Sequence, residues 1–571
     1  MVLIKKSVMD SKTWINSHGQ DIRYLLMIIV VWFGMTALTN PVGNFPINDD
    51  WVYALAVKSV LETGYYQFPS PSSANVGPQV YWGAFFCLPY GFSFTALRFS
   101  TLTLGLIGAI ALYGLARVLG ANSKIALLGS LVLVVNPLYF GLANSFMTDI
   151  PFITLVIIAL LLQVKGFQLE SRPYLIMGLI ISFAAILVRQ LGVVLLVAFA
   201  LAYMIRNGFR WINFIKVTSL VVSGVLLHIA YQYWLVDSER TPLLMVHSDV
   251  RNLNIPSLSI VGKKLLVAYT YLGFFILPFL PVYTTSKSSE VSNLRNKIIG
   301  MVLVAFALSI LIFLWWANRM MPLSENVLDS SGLGPLTLRD TFNLGINFPK
   351  LPPALLVYWQ LMTIFSVVAA CVVLYYFWLA SHQTLVKCRS TDFRPGTWPY
   401  WLIAGLAATY FAILVIIAGR FPLFDRYLIL FLPLIILLII TIKFDAPPRS
   451  RGLGIKMSIV LITVYGGYTV AATHDYLAWN RTRWVATNDL MQQDNVSPKQ
   501  IDGGYEFNGW YLYDAKYKQT PKKSWWWVVD DEYIIASGPI AGYAPMRRYI
   551  FDRWLLQRAS DVWVLRRIPK H

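Results

Sequence analysis

The sequence predicts a mainly α-helical, polytopic membrane protein with about 13 transmembrane helices and a small C-terminal extracytoplasmic α/β domain. Two observations predict this class. Hydrophobic residues make up 57% of the 571 residues and charged residues only 13%, which is typical of a chain that lies mostly in lipid. In addition, apolar runs recur along the chain, most of them long enough to cross a hydrocarbon core of about 30 Å.

About thirteen apolar runs supply the predicted spans. They lie at residues 24-40, 94-117, 124-140, 150-164, 174-188, 191-205, 213-235, 264-284, 298-316, 353-380, 399-418, 427-442 and 455-472. The stretch from Tyr174 to Ile205 would form one helix of roughly 48 Å, which is too long for a single span. A turn at Arg189-Gln190-Leu191-Gly192 is therefore expected to divide it.

The distribution of charge predicts the orientation. Lys and Arg gather in the segments that face the cytoplasm if the N-terminus is cytoplasmic, whereas the opposite loops are nearly balanced. Because cytoplasmic loops collect cations, this pattern predicts a multi-pass inner or plasma membrane protein with a cytoplasmic N-terminus. The loops at 41-93, 236-263 and 317-352 and the tail after residue 472 then lie outside. The net charge of +19 reflects this orientation and predicts no nucleic-acid partner.

Two domains are expected: a transmembrane domain over residues 1-472, with a structured outer loop at 41-93, and a C-terminal extracytoplasmic domain over residues 473-571. In the outer loop, apolar residues recur at helical spacing after Asp50 and stop at Gly64, which predicts an amphipathic helix in the membrane interface.

The tail has the pattern of a mixed α/β domain, with a helix over 484-491 and strands over 524-535 and 561-568. Its many aromatic residues indicate either a sugar-stacking surface or the core of the domain. The loop over 318-350 is rich in Gly and Pro, which suits a connector or a mobile lid.

Acidic residues at the ends of spans are the best indicators of function, because charge beside the hydrocarbon core is costly unless it is used. Asn48-Asp49-Asp50 follows the first span, and Asp149 precedes a later one. A structural role is the alternative, since Asp caps helices and Pro151 suits a first helical turn. The three cysteines and six histidines form no zinc pattern or disulfide framework, and no phosphate-binding glycine loop is evident.

Several stretches resemble one family in their order and predicted membrane side. Asn48-Asp49-Asp50-Trp51-Val52-Tyr53-Ala54 resembles the Asp-Glu-x-x-Tyr-Ala stretch of the aminoarabinose transferases and protein O-mannosyltransferases, which are polytopic C-type glycosyltransferases (bacterial family-39-like enzymes). Tyr81-Trp82 is similar to an aromatic pair in their first loop. The remaining similarities are Asp149-Ile150-Pro151-Phe152 to their Asp-Pro-Phe, Phe424-Asp425-Arg426-Tyr427-Leu428 to a late Arg-Tyr, and Asp475-Tyr476 with Gly503-Gly504-Tyr505 to the outer tail of bacterial members.

The resemblance implies an enzyme that takes a hexosyl or pentosyl group from a polyprenyl phosphate and passes it, with inversion, to a hydroxyl of a lipid, glycan or protein. Such chemistry needs a carboxylate to accept the hydroxyl proton. By resemblance Asp49 takes this role, Asp50 stands where the family has Glu, and Asp149 enters the same pocket. Cations must stabilise the leaving phosphate, and Arg189 and Arg426 are the candidates.

Tyr53, Tyr81 and Trp82 complete the predicted substrate site. One departure stands out: where the aminoarabinose transferases have Lys-Pro, this chain reads Gly77-Pro78, so the lysine that contacts phosphate is missing.

Other interpretations stay open at the level of sequence. Arg189 could extend its charge to the interface, and Arg426 could pair with Asp425. No cofactor is indicated with certainty, and a divalent cation held by the three acids is left open. The alternative functions are a flippase or transporter of a lipid-linked sugar, or a glycan polymerase. The expected partners are the polyprenyl-phosphate sugar donor, the acceptor and membrane lipids.

Overall fold

The structure is a computed structural model, and it describes most of the chain. The described residues are 2-67, 74-238, 240, 258-284, 294-320, 323-324, 326-348, 351-389, 397-441, 452-519, 521, 523-555 and 561-569.

The described residues are dominated by α-helices. In chain order these are α1 (Val2–Thr39), α2 (Asp50–Thr63), α3 (Gly77–Cys87), α4 (Phe94–Val118), α5 (Ser123–Val134), α6 (Pro137–Ala143), α7 (Asp149–Gln168), α8 (Arg172–Val188), α9 (Val193–Asn207), α10 (Trp211–Asp237), α11 (Leu258–Ile276), α12 (Pro281–Thr284), α13 (Leu294–Trp316), α14 (Pro353–Arg389), α15 (Trp398–Arg420), α16 (Phe431–Thr441), α17 (Gly452–Gln492) and α18 (Tyr505–Leu512).

Each predicted apolar run contains a helix, which confirms the polytopic helical class. Ten helices of the described chain are long and apolar enough to cross a membrane, and the bent pair α5 and α6 makes an eleventh if it is one span. The two remaining runs hold shorter helices, α8 with 17 residues and α16 with 11. The predicted division after α8 is also present: Arg189 is extended, and one 3₁₀ turn at Gln190–Gly192 leads into α9.

The bend between α5 and α6 has a local cause. The side chain of Asn136 accepts hydrogen bonds from the backbone N–H groups of Leu138 and Tyr139, and Pro137 occupies the first turn of α6. Both features start a new helix and together turn the axis by 63°. The bent pair packs against α4, where a Cβ at Gly108 would lie only 2.6 Å from the Tyr139 hydroxyl.

The first outer loop folds into α2 and α3. Gly64 ends α2 in the left-handed conformation with φ of 73°, as its position after the last apolar residue predicts. The face formed by Trp51, Val52, Ala54 and Val57 is buried against the rest of the protein. The loop is therefore a structured element that packs on the helical bundle.

The segment over 318-350 and the tail pack together. Strands β1 (Leu328–Asp329) and β2 (Gly332–Leu333) form a small hairpin, followed by a π-helical turn at Arg339–Asn343. The tail holds a sheet of four strands in the order β3 (Ile501–Asp502), β4 (Tyr533–Ala536), β6 (Asp561–Arg567) and β5 (Tyr543–Ile550). Strands β3 and β4 are parallel, and the other pairs are antiparallel.

The tail prediction needs two adjustments. The expected helix over 484-491 is the end of α17, which runs without a break through residue 472. The strand expected over 524-535 begins only at Tyr533. Within the expected range, Trp527 adopts a left-handed φ of 60° that extended backbone does not accommodate. The strand expected over 561-568 is β6.

Candidate active site

A cavity of about 520 Å³ opens between the start of α2, the turn after α8, the end of α15 and the turn before α16. This volume lies within the range of small-molecule pockets. The polar side chains and tyrosines of the wall are Asp49, Tyr53, Arg189, Gln190, Arg426, Tyr427 and Tyr505. Its apolar side chains are Val52, Ala74, Leu191, Ile417, Phe421, Pro422 and Phe424.

Asp49 lies directly before α2 with its carboxylate in this cavity. One oxygen, Oδ1, accepts a hydrogen bond of 2.8 Å from the Tyr505 hydroxyl, and the other, Oδ2, lies 3.2 Å from Nη1 of Arg426. Asp49 occupies the N-cap position but makes no side-chain hydrogen bond to the helix. Capping, the structural alternative for this residue, is therefore not what the carboxylate does here.

Arg426 is held by the turn at Asp425–Leu428, whose first residue anchors it. The buried Asp425 carboxylate accepts hydrogen bonds from the backbone N–H groups of Val327, Leu328 and Arg426, at 2.7 to 3.2 Å. Burial raises the pKa of Asp425 to about 6 despite these donors. Asp425 thus fixes the turn to the hairpin segment, and the guanidinium of the next residue, Arg426, pairs with Asp49.

Arg189 and Asp149 form a second ion pair beside the first. Nη1 of Arg189 lies 3.0 Å from Oδ1 of Asp149, and its Nε donates to Thr148 Oγ1 at 2.8 Å. Asp149 is 1% exposed and lies behind the cavity wall, whereas Arg189 lines the cavity. Asp149 therefore holds a cation of the site and does not itself line the cavity. Arg189 is buried by these contacts and does not extend to the interface.

Tyr427 lies between the two cations. The guanidinium carbons of Arg189 and Arg426 are each 5.7 Å from the centre of its ring. Cations over an aromatic face are stabilised by the ring quadrupole. The ring therefore helps to hold two positive groups near each other at one side of the cavity.

Three of the residues expected in the site lie elsewhere. Asp50 points away from the cavity: its buried carboxylate accepts hydrogen bonds from the N–H groups of Ile47 at 3.2 Å and Phe146 at 2.9 Å. Burial raises the pKa of Asp50 to about 7. Tyr81 is 57% exposed and stacks on Tyr66, outside the cavity wall.

Trp82 is the third of these residues, and it donates from Nε1 to the Ser100 carbonyl at 3.0 Å. Gly77, which stands where the lysine is missing, lies close to Tyr231. A Cβ at Gly77 would lie 3.0 Å from the Tyr231 hydroxyl, which donates to the Asn75 carbonyl at 3.0 Å. Tyr231 of α10 thus occupies the space beside the position where relatives carry the lysine.

Sequence reasoning missed the contributions of Tyr427 and Tyr505. Tyr427 follows Arg426 directly, so the Arg-Tyr pair was the available signal. Tyr505 belongs to the stretch that resembles the outer tail of bacterial relatives, but nothing in the sequence connects it with Asp49.

The sequence left a divalent cation open. In the ranges that the structure describes, no group of three or more His, Cys, Asp or Glu side chains is placed to hold a metal ion. Asp49 and Asp149 are each paired with an arginine. The chemistry that these residues offer is proton transfer at Asp49 and stabilisation of negative charge by two guanidinium groups.

Comparison with known proteins gives one family match and several structural alignments. Residues 76-234 match the family of dolichyl-phosphate-mannose-protein mannosyltransferases. Among solved structures, the apo form of ArnT from Cupriavidus metallidurans aligns over 86% of this chain and 84% of its own, with 14% identity and a TM-score of 0.38.

Two further structures align. The form of the same ArnT bound to undecaprenyl phosphate covers 86% of this chain and 84% of its own, with 13% identity and a TM-score of 0.40. The Archaeoglobus fulgidus oligosaccharyltransferase, in its apo form, covers 75% of this chain and 57% of its own, with 12% identity and a TM-score of 0.31. No curated protein matches the chain.

The mannosyltransferase match spans α3 to α10 and includes Asp149 and Arg189. It lies within a chain whose helices form a multi-pass membrane protein. The chain is therefore a polytopic membrane protein whose residues 76-234 resemble the dolichyl-phosphate-mannose-protein mannosyltransferases.

Proposed function

We propose that this protein is a glycosyltransferase that moves a sugar from a polyprenyl-phosphate donor to a hydroxyl of a lipid, glycan or protein on the outer face of the membrane, with inversion. The observation that carries the proposal is the cavity in which the Asp49 carboxylate faces the guanidinium groups of Arg189 and Arg426. A base and two cations around one cavity are what transfer from a phosphate leaving group requires.

Asp49 acts as the general base. The acceptor hydroxyl oxygen attacks the anomeric carbon from the side opposite the phosphate, its proton passes to the Asp49 carboxylate, and the bond from the anomeric carbon to the phosphate oxygen breaks. The electron pair of that bond leaves with the lipid phosphate. Attack from the opposite side inverts the anomeric configuration.

Arg189 and Arg426 hold the phosphate and stabilise the charge that it gains as it leaves. Both guanidiniums are at the cavity wall, and Asp149 keeps Arg189 in place from behind. The apolar wall, with Leu191, Ile417 and Phe421, suits the first isoprene units of a lipid chain. The mannosyltransferase family that residues 76-234 match is described as using dolichyl-phosphate mannose, and dolichyl phosphate is a polyprenyl-type lipid phosphate.

The orientation is part of the proposal. The hydrogen bond between Tyr505 and Asp49 requires the tail and the first loop to lie on the same side of the membrane. An odd number of crossings satisfies this requirement, as thirteen crossings do. With the cationic loops in the cytoplasm, the N-terminus is cytoplasmic, and residues 473-571 form an extracytoplasmic domain beside the transmembrane domain of residues 1-472.

The test is transfer by purified protein in proteoliposomes. A panel of undecaprenyl- and dolichyl-phosphate sugars, each with a radiolabelled hexose or pentose, is incubated with lipid, glycan and peptide acceptors. We expect one donor to yield a glycosylated acceptor and free polyprenyl phosphate in equal amounts. Movement of labelled lipid across the bilayer without product would indicate a flippase, and repeated extension of a glycan would indicate a polymerase.

A further inference from the structure

Two consecutive residues of the tail hold two consecutive residues of the first outer loop. The backbone N–H of Asn48 donates to Glu506 Oε1 at 3.0 Å, and the Tyr505 hydroxyl donates to Asp49 Oδ1 at 2.8 Å. One contact fixes the backbone just before Asp49, and the other fixes its carboxylate. The tail thus controls both the position and the rotation of this side chain.

Glu506 is itself held rigidly. It is fully buried, and its Oε2 accepts hydrogen bonds from Thr337 Oγ1 at 2.6 Å and from Arg483 Nη1 at 2.9 Å. Arg483 is also fully buried, and it donates from Nη2 to Asn480 at 3.0 Å. Buried charged side chains that are paired and hydrogen-bonded keep one arrangement, because any other arrangement would leave a buried charge without a partner.

The helix that carries both residues lies very close to its neighbours. At Gly504, with a left-handed φ of 87°, a Cβ would lie 2.4 Å from the Thr337 carbonyl oxygen. At Gly509, a Cβ would lie 2.4 Å from Cε2 of Trp51 on α2. Both distances are too short for any side chain. Gly509 therefore lets α18 approach α2, and Gly504 lets the start of α18 approach the segment that contains Thr337.

The backbone before Asp49 also depends on this contact. Asn48 adopts a left-handed φ of 55°, a conformation that asparagine tolerates better than most other non-glycine residues. The hydrogen bond from its N–H to Glu506 stabilises that conformation. Burial, followed by the nearby Asp49 charge, raises the pKa of Tyr505 well above its usual value, so Tyr505 remains a hydrogen-bond donor.

We propose that Tyr505 and Glu506 are positioning residues for Asp49: the tail aims the carboxylate at the cavity and keeps its Oδ1 hydrogen-bonded. This inference rests on the proposed role of Asp49 as the base. It assigns the tail a direct part in catalysis, since the base is aligned only while α18 is docked on α2.

The contact is tested first, without turnover, by hydrogen exchange in the full-length protein. In Glu506→Gln, the amide nitrogen faces Asn48, because Thr337 and Arg483 both require an oxygen. We expect faster exchange in the peptide that contains Asn48 than in wild type, while peptides of α4 exchange as before. Unchanged exchange at Asn48 would overturn the contact.

The positioning role is tested by steady-state kinetics with the donor and acceptor that wild type turns over. Tyr505→Phe keeps the ring but removes the hydroxyl. We expect kcat to fall about 10-fold with little change in the donor KM, because a hydrogen bond to a charged group is lost.

Tyr511→Phe is the matched control, because Tyr511 lies on the same helix, is 43% exposed and packs against Trp484 and Phe507. It should keep the wild-type kcat and donor KM. An unchanged kcat in Tyr505→Phe, or an equal loss of kcat in Tyr511→Phe, would overturn the inference. The Tyr505 variant decides it alone if Glu506→Gln does not fold. A wild-type protein that transfers no sugar would refute the proposed function and the positioning role with it, even where exchange at Asn48 responds.

Discussion

The ion pair between Asp149 and Arg189 offers a quantitative test of how the site is built. The two groups are 3.0 Å apart, and their side chains are 1% and 11% exposed. At this burial, removal of one partner leaves an uncompensated charge, which costs about 3–5 kcal/mol, whereas an exposed pair contributes about 0–1 kcal/mol. We therefore expect Asp149→Asn to lower the free energy of unfolding by about 3 kcal/mol or more.

A second substitution separates stability from function. In Asp149→Asn with Arg189→Gln, no charge is left unpaired, so much of the lost stability should return. Donor binding should not return, because the cation is gone. Arg189→Gln alone should raise the donor KM about 10-fold or more, the loss expected for a hydrogen bond to a charged group.

The assay is denaturant unfolding of the purified variants in detergent, combined with donor KM in proteoliposomes. An Asp149→Asn protein as stable as wild type would refute the burial argument. A double variant with the wild-type donor KM would show that the phosphate does not bind at Arg189.

Three further outcomes are expected from other parts of the site. The pKa of Asp50 is raised from an ordinary 3.8 to about 7 in the folded state, so the folded protein binds an extra proton between these pH values. Its stability should therefore fall by up to about 4 kcal/mol as the pH rises through this window. Thermal unfolding of Asp50→Asn should show a smaller fall with pH, and parallel pH profiles of variant and wild type would refute the assignment. Gly77→Lys alone should not lower the donor KM, because the Tyr231 hydroxyl would lie 3.0 Å from the new Cβ. The donor KM should fall only when Tyr231→Ala is added to make space, and a lower donor KM in the single variant would contradict this expectation. Arg426→Gln should raise the donor KM and leave the acceptor KM nearly unchanged, and the opposite pattern in initial-rate kinetics would place Arg426 at the acceptor.

The sequence predicted the helices well because membrane spans are set by local composition. The break between α8 and α9 followed from length alone, and it places Arg189 at the cavity. The outer ends of spans also share one face of the membrane, so the gathering of Asp49, Arg189 and Arg426 at one site could be expected before the structure.

Side-chain direction and long-range pairing could not be predicted in the same way. Asp49 and Asp50 are neighbours, yet one faces the cavity and the other binds the backbone of Ile47 and Phe146. Asp49 and Tyr505 are 456 positions apart, and their contact depends on how the tail docks. Such contacts arise from packing, which composition and periodicity do not encode.

The central claim is that Asp49 is the base that accepts the acceptor's proton. It is tested most directly by single-turnover transfer with Asp49→Asn in proteoliposomes, at a donor concentration that saturates wild type. We expect the rate of sugar transfer to fall by a factor of about 10² to 10⁴, with the polyprenyl-phosphate donor still bound and the protein still folded. Transfer at the wild-type rate would contradict the account.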